Sequence, residues 1–265
     1  MTAKLAPPAG ADVWLLRQPK PDDITGVLDM AELDEKELQR ARQCRRQAGG
    51  YLYAAAHIAL RRVLATYVGR PAGSLVFGRG PCPCCDQQHG RPVLREPESD
   101  LHFSLSHSSG MVLIGVAQVP IGVDVEKVPS AETARVCTAA LHADERAELA
   151  EVPECAGTAA FGRLWTRKEA YLKGLGTGLG RDLSLDYLGW ESARHPAGWS
   201  VVDVPAGPRH TAAAAIGYGE GATAARAAAG EPAPVTLRWL PMESLYSGSR
   251  PDLTRDDAIL AELAA

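Results

Sequence analysis

Asp124 and Glu126 stand two residues apart in the run Ile121-Gly122-Val123-Asp124-Val125-Glu126. Strand alternation sends both carboxylates to one face. Side by side they repel, so the arrangement is costly unless a cation bridges them. An all-oxygen set of this kind suits a hard ion such as Mg²⁺, which keeps water and phosphate oxygens in its shell. The alternative is an exposed strand edge with solvated charges. A second constellation lies in Leu164-Trp165-Thr166-Arg167-Lys168-Glu169-Ala170-Tyr171-Leu172-Lys173. Glu169 and Lys173 share a helical face in the favourable order, and Trp165, four residues before Glu169, turns that face inward. Buried charge needs partners, and a metal with a phosphate would supply them; a plain surface ion pair is the rival reading.

Phe103-Ser104-Leu105-Ser106-His107-Ser108 places hydroxyls and an imidazole at the end of a strand. A Ser-His pair raises the idea of a hydrolytic nucleophile. No Gly-x-Ser-x-Gly elbow accompanies it, and adjacent strand residues point to opposite faces. Ser106 and a protonated His107 fit better as donors to a phosphate oxygen. Cys82, Cys85 and His89 form a Cys-x₂-Cys…His loop, Cys82-Pro83-Cys84-Cys85-Asp86-Gln87-Gln88-His89. Zn²⁺ accepts such ligands, but a closed structural site needs four, and adjacent Cys84 and Cys85 cannot easily both reach one ion. A reduced-thiol loop without metal stays open beside a zinc site. Arg40, Arg42, Arg45 and Arg46 make a basic cluster that is either a solvated helix face or an anion contact.

The elements that must position these groups follow from periodicity. Val13 to Leu16, closed by Pro19 and Pro21, reads as a strand. A polar helix runs from Leu33 to Arg46 and breaks at Gly49-Gly50. An apolar-periodic helix then runs from Tyr51 to Gly69. Leu101–Leu105, Met111–Val119 and Ile121–Val125 read as three strands of one antiparallel sheet. Helices follow over Glu132–Leu141, over Asp144–Ala150 with Asp144 as N-cap, and over Thr158–Lys173, stopped by the glycines from Gly174. Strands are expected at Leu183–Leu188, Ser200–Val204, Thr211–Ile216 and Val235–Leu240, with an Ala/Gly/Pro-rich surface loop over Gly221–Pro234. Helices and strands thus recur in the same order twice. The expected fold is α+β, two similar α/β halves (a pseudo-dimer) with antiparallel sheets and a ligand cleft between the halves. Residues 1–120 would hold the Cys-rich loop and the Ser-His motif, and residues 121–265 the carboxylates and the Trp-x-x-Lys-Glu helix.

Composition narrows the function classes. The 265 residues are 46% hydrophobic and 23% charged, an ordinary globular balance. With 28 Lys and Arg against 32 Asp and Glu, the net charge of -4 asks for no nucleic acid. Apolar runs such as Val112 to Ala117 fall far short of the roughly 18 residues of a membrane span. Met1 to Gly10 lacks the apolar centre of a secretory signal, and the six scattered or crowded Cys form no disulfide framework. A soluble cytoplasmic protein is expected.

Together, the Phe103–Ser108 stretch, Ile121-Gly-Val-Asp-Val-Glu-Lys127 and Leu164–Lys173 resemble the signature of Sfp-type 4′-phosphopantetheinyl transferases. Gly90-Arg91-Pro92 is similar to that family's basic Gly-Lys-Pro loop, and Gly174 to Ser184 to its glycine loop. The resemblance implies Mg²⁺-dependent transfer of the 4′-phosphopantetheine arm of coenzyme A to a serine of an apo acyl or peptidyl carrier protein, releasing 3′,5′-ADP. It implies Asp124, Glu126 and Glu169 as metal ligands, and Lys173, Arg91, Ser106 and His107 as contacts to coenzyme A phosphates, with Lys168 lining the same site. Glu169 would take the serine proton, and Lys173 with Lys168 would stabilise the leaving phosphate. Where the family commonly has an Arg before the Tyr-x-Ala-Ala-His-like start of a helix, this chain has Leu52. One of Arg42, Arg45 or Arg46 would then serve the nucleotide phosphate. The long form of the family implies a monomer serving polyketide or nonribosomal peptide biosynthesis. The rivals are a non-catalytic coenzyme A module, which would be expected to have lost a carboxylate, and a Mg²⁺-dependent phosphohydrolase.

Overall fold

A computed structural model describes residues 5–18, 26–218 and 231–249. The first strand, β1 (Ala11–Arg17), is buried on both faces, as its unbroken apolar run requires. Helix α1 (Glu35–Arg42) opens on a reciprocal cap: Asp34 Oδ1 accepts from Glu37 N–H at 2.9 Å, and Glu37 Oε2 accepts from Asp34 N–H at 2.9 Å. Helix α2 (Gln47–Val68) ends where Gly69 turns left-handed at φ 68°. A hairpin of β2 (Val76–Arg79) and β3 (Pro92–Glu96) precedes β4 (His102–Ser108), β5 (Met111–Ala117) and β6 (Ile121–Lys127). Then come α3 (Ala131–Thr138), α4 (Ala143–Ala150), α5 (Glu154–Leu175), β7 (Trp199–Asp203), β8 (His210–Gly217) and β9 (Val235–Trp239).

The strands form a four-stranded sheet, β4-β5-β1-β9, a three-stranded antiparallel sheet, β6-β8-β7, and the β2–β3 hairpin. All pairs are antiparallel except β1 with β9. Alternation along β1 explains the layers. Trp14 and Leu16 meet the apolar face of α2, including Ala55, Ala59 and Val63. Val13 and Leu15 meet Val123 and Val125 of β6 and Ala212 and Ala214 of β8. The far side of β8, Ala213 and Ala215, packs on Ala170 and Leu172 of α5. The order is therefore helix, sheet, sheet, helix.

Several expectations need correcting. Gly49-Gly50 does not break the chain: both lie in the first turns of α2, and the break falls at 43–46. β6 does not join β4 and β5 in one sheet: it pairs with β8, and β4 stays at the edge of the four-stranded sheet. The N-cap of α4 is His142, whose Nδ1 accepts from Asp144 N–H at 3.2 Å, so Asp144 lies inside the helix. Helix α5 begins at Glu154, and it runs past Gly174 to a left-handed cap at Gly176, φ 85°. Residues 183–188 form no strand. Buried Lys168 donates to the carbonyls of Leu183 (2.7 Å) and Asp186, and Glu145 Oε1 takes the N–H of Leu188 at 2.6 Å. A side-chain ion pair thus replaces the ladder as partner for that backbone. The β2–β3 hairpin was not foreseen. Pro19 and Pro21, and the 221–230 part of the Ala/Gly/Pro-rich stretch, lie outside the described residues.

One close approach sets the position of α5. A Cβ at Gly122 would stand 1.9 Å from the Ala170 carbonyl oxygen and 2.3 Å from the Gly174 nitrogen. Gly122→Ala should therefore lower stability by about 2–3 kcal/mol, through strain against backbone that cannot yield. Gly157→Ala, with nothing within 4 Å of its Cβ in the first turn of α5, should be neutral or stabilising. Urea unfolding of the two variants checks this, and an unchanged midpoint for Gly122→Ala would contradict the packing.

Candidate functional site

Period-2 alternation on β4 turns Ser104, Ser106 and Ser108 toward β6, and each reaches it. Ser104 Oγ accepts the N–H of Val123 at 3.0 Å, Ser106 Oγ donates to Asp124 Oδ1 at 2.8 Å, and Ser108 Oγ donates to Glu126 Oε2 at 2.7 Å. These serines stitch the edge of one sheet to the other. Asp124 is 1% exposed. Lys173 Nζ, from the last turns of α5, donates to Asp124 Oδ1 at 2.6 Å and to Ser106 Oγ at 3.0 Å. The rival reading, a Glu169–Lys173 surface ion pair, gives way to this longer-range pairing, because burial makes the Asp124 charge the more demanding partner.

Three carboxyls gather here. Burial first, then Asp124, pushes the Glu126 carboxyl above its ordinary range against the Ser108 bond. Glu169 is also raised, by burial first and then by Asp124. Asp124 Oδ2 is buried with no hydrogen-bond partner. One lysine does not neutralise this set, and the leftover donors are all hard oxygens. The donor chemistry of Asp124, Glu126 and Glu169 suits a hard cation such as Mg²⁺, although among the described residues only Cys82, Cys85 and His89 bring three ligand atoms close enough together to hold an ion.

Beside them opens a cavity of about 1080 Å³, large enough for a nucleotide-sized ligand. Its cationic lining is Lys36 and Arg40 from α1, Arg79 from β2, Arg91 before β3, and Lys173. Arg91 is half-buried, which lowers its guanidinium pKa, and its Nη1 donates to the Gly174 carbonyl at 3.1 Å. It makes no ion pair among the described residues. Gly176, at φ 85°, lets the helix end approach it: a Cβ there would lie 2.8 Å from Arg91 Cγ. Tyr53 and His57, stacked at 4.2 Å on α2, form another wall. His57 is oriented by Glu37, Nδ1 to Oε1 at 2.9 Å. Burial works against the Glu37 charge, yet the bonds from His57 and Arg61 outweigh it and hold the carboxyl below its ordinary range.

Asp124, Glu126, Glu169 and Lys173 converge, and Arg91, Ser106 and His107 line the cavity. Three expectations change. Lys168 does not line this site: 2% exposed, it pairs with Glu145 at 2.9 Å and holds the 183–188 loop. Arg42, Arg45 and Arg46 do not line the cavity either, and all three are exposed; Arg40 and Lys36, one turn earlier on α1, do. The hydroxyl proton of Ser106 is committed to Asp124, so Ser106 orders the carboxylate rather than donating to a phosphate. Sequence reasoning missed Ser104 and Ser108 as inter-sheet links. It also missed Tyr53 and His57 as cavity walls; their i, i+4 spacing on one helix face was the available signal.

His107 sits edge-on to Tyr53, ring centres 6.1 Å apart. Burial, then the positive neighbours His57 and Lys173, lowers its pKa below the ordinary 6.5, so it is a neutral donor and not the imidazolium expected. A depressed folded value means the native state binds fewer protons. This contribution to stability is complete above about pH 6.5 and is lost as pH falls through the folded value. Histidine C–H resonances followed by NMR should show His107 titrating below 6.5, and His107→Gln should flatten part of the acid loss of stability. A normal or raised value would contradict the burial argument.

Residues 120–213 match the family model of the 4′-phosphopantetheinyl transferase superfamily. The chain is 36% identical over 96 residues to the 4′-phosphopantetheinyl transferase psf-1 of Bacillus pumilus, covering 36% of this chain and 40% of the relative. It is 29% identical over 219 residues to the 4′-phosphopantetheinyl transferase HetI of a Nostoc species, covering 78% of this chain and 89% of the relative. To the 4′-phosphopantetheinyl transferase Sfp of Bacillus subtilis it is 30% identical over 119 residues, 45% of this chain and 50% of the relative. The chain thus spans half or less of the length of these two Bacillus relatives.

Proposed function

Because the chain belongs to the 4′-phosphopantetheinyl transferase superfamily, we propose that it transfers the 4′-phosphopantetheine arm of coenzyme A to a serine of an apo carrier protein, with Mg²⁺ as cofactor. The observation that carries this is the junction of three carboxyls, short of positive charge, with a cavity whose lining includes Lys36, Arg40, Arg79 and Arg91, none of them in an ion pair among the described residues. Coenzyme A offers phosphates to the cations and, through an ion, to the carboxyls. The reading includes two related halves, 1–120 and 121–265, with the ligand cleft between them. In its support, the cavity is lined both by α1, α2 and β4 and by Glu126, Lys173 and Gly176. We also take the protein as a cytoplasmic monomer; among the described residues no helix is long and apolar enough to cross a membrane.

In this reading Arg91 and Lys173 bind the diphosphate, and Arg40 and Lys36 the nucleotide end. Mg²⁺ held by Asp124, Glu126 and Glu169 would neutralise phosphate charge. The carrier serine oxygen forms a bond to the phosphorus bearing the pantetheine arm. The bridging oxygen leaves with the electron pair on 3′,5′-ADP. Glu169, whose raised pKa brings it closer to neutrality, takes the serine proton. Lys173 stays on the departing phosphate, and Ser106 and Asp124 keep its ammonium in place.

Intact mass of several apo carriers after incubation with coenzyme A and Mg²⁺ tests the reading. One added phosphopantetheine arm is expected, whereas free phosphopantetheine without a carrier would point to a phosphohydrolase. Asp124→Ala should abolish transfer and keep the fold, while Glu126→Gln should do less damage, since an amide oxygen still coordinates. Activity of Asp124→Ala within a few-fold of wild type at saturating Mg²⁺ would remove the metal assignment.

The carrier would dock on the 128–146 segment after β6. Val136 is 60% exposed there, Ala139 and Ala140 are exposed, and Lys127 and Arg135 offer positive charge beside them. Leu141, expected in the same patch, is instead fully buried against Phe161 and Leu164. Val136→Asp should raise the KM for the carrier several-fold and leave coenzyme A binding alone, whereas Leu141→Asp should unfold the protein. An unchanged carrier KM in Val136→Asp places docking elsewhere.

A further inference from the structure

The β2–β3 hairpin ends in a loop that apolar packing does not hold. Its neck is closed by Gly80 N–H to the Arg91 carbonyl at 2.9 Å and Gly90 N–H to the Gly80 carbonyl at 3.0 Å. Of residues 81–89 only Cys82 is buried. Within the loop the backbone folds tightly on Cys82. Its carbonyl accepts from Cys85 at 3.3 Å and Asp86 at 2.8 Å, and its N–H donates to Gln87 at 2.7 Å. Asp86 is held at φ 57°, a left-handed conformation uncommon outside glycine. A ten-residue excursion so defined, with so few apolar contacts, needs another source of order.

The turn brings together three soft donors. The thiols of Cys82 and Cys85 and a ring nitrogen of His89 lie within 4.8 Å of one another, and Cys85 Sγ is 3.0 Å from His89 Nε2. Donors on one tetrahedral Zn²⁺, at Zn–S about 2.3 Å and Zn–N about 2.1 Å, lie about 3.5–3.8 Å apart, so small side-chain adjustments suffice. All three cysteines of the loop are free thiols. Two thiolates and an imidazole select Zn²⁺ over the hard cation suited to the carboxyl cluster. We propose that Cys82, Cys85 and His89 form a Zn²⁺ site, separate from the carboxyl cluster, with a solvent molecule as fourth ligand. Cys84 is exposed and stays out of the set, because the residue next to Cys85 cannot turn its sulfur to the same ion. The ion replaces the missing apolar core of the loop. It also steadies the chain entering Gly90 and Arg91, since His89 itself lines the cavity beside them. The site stands on loop geometry alone and holds or falls independently of the transfer reaction.

Metal content of the full chain purified without chelator should give about one zinc per chain. After chelation, Co²⁺ should restore occupancy, with a near-ultraviolet thiolate-to-cobalt band and the intense visible bands of tetrahedral cobalt. Cys82→Ser, Cys85→Ser and His89→Ala should each weaken Zn²⁺ binding at least about tenfold, and Cys84→Ser should leave it unchanged. Circular dichroism confirms that each variant is folded, and the wild-type cobalt spectrum stands even where a variant is not. Zinc below about one-tenth per chain without a thiolate-to-cobalt band overturns the proposal. So does full binding by Cys82→Ser, a loss in Cys84→Ser equal to that in Cys85→Ser, or a native mass two hydrogens light from a Cys82–Cys85 disulfide.

Discussion

The Asp124 carboxylate, 1% exposed and bonded to Lys173 and Ser106, is where three layers of the molecule meet. Taking such a charge out of water costs several kcal/mol even after relaxation, and the cost is offset only with good geometry and full hydrogen bonding. Each partner comes from a different element. The lysine requires α5 to lie across β6, and the glycine contact at Gly122 permits that approach. The serine requires β4 to run beside β6, and Ser104 and Ser108 hold the same register two residues to either side. Moving any one element leaves a buried charge unpaired, so this side chain ties together the position of α5 and the meeting of the two sheets, which apolar packing already holds in place.

That arrangement remains electrostatically incomplete. Asp124 Oδ2 has no partner, Glu126 and Glu169 are pushed toward protonation, and Lys173 is already engaged. The same cavity also holds positive charge, with Arg91 desolvated and bonded to the Gly174 carbonyl beside Lys173. In the proposed function, this combination of carboxyls and cations would serve a phosphate-bearing ligand together with a divalent ion. The protein stores this imbalance because the fold is secured elsewhere, for instance by the buried Arg61 and Arg62. Arg61 reaches Glu37 at 2.8 Å, and Arg62 reaches Glu32 at 2.7 Å and Asp29 at 3.0 Å.

What could be read in advance was what depends on local periodicity. Asp124 and Glu126 share a face because strands alternate, and Glu169 and Lys173 lie on one helical stripe with Trp165. Lys168 entered that reading only through the family resemblance. At about 100° per residue it projects well away from Glu169 and Lys173, and it meets Glu145 on the opposite side. Arg40 belonged to the basic cluster, but its place at the cavity depends on where α1 ends, at Arg42, and on Gly49 and Gly50 being absorbed into α2. The serine stitching was out of reach, since it depends on β6 leaving the sheet of β4 and β5. That departure, in which β6 pairs with β8 and leaves β4 at the edge of its own sheet, is a property of the assembled sheets and not of any segment.

The chain order explains why the cavity walls hold their places. β1 pairs with β5 on one side and with β9 on the other. The first sheet is therefore complete only after the second sheet and α5 have been laid down, because β9 follows β8. A parallel pair cannot be joined by a tight turn and needs a long crossover, and here everything between β1 and β9 serves as that crossover. The two sheets are consequently interleaved in chain order as well as packed face to face across Val13 and Val123. A site divided between β4 and α5 gains its rigidity from this topology, and its carboxyls can stay undercompensated without the layers drifting apart to reach water.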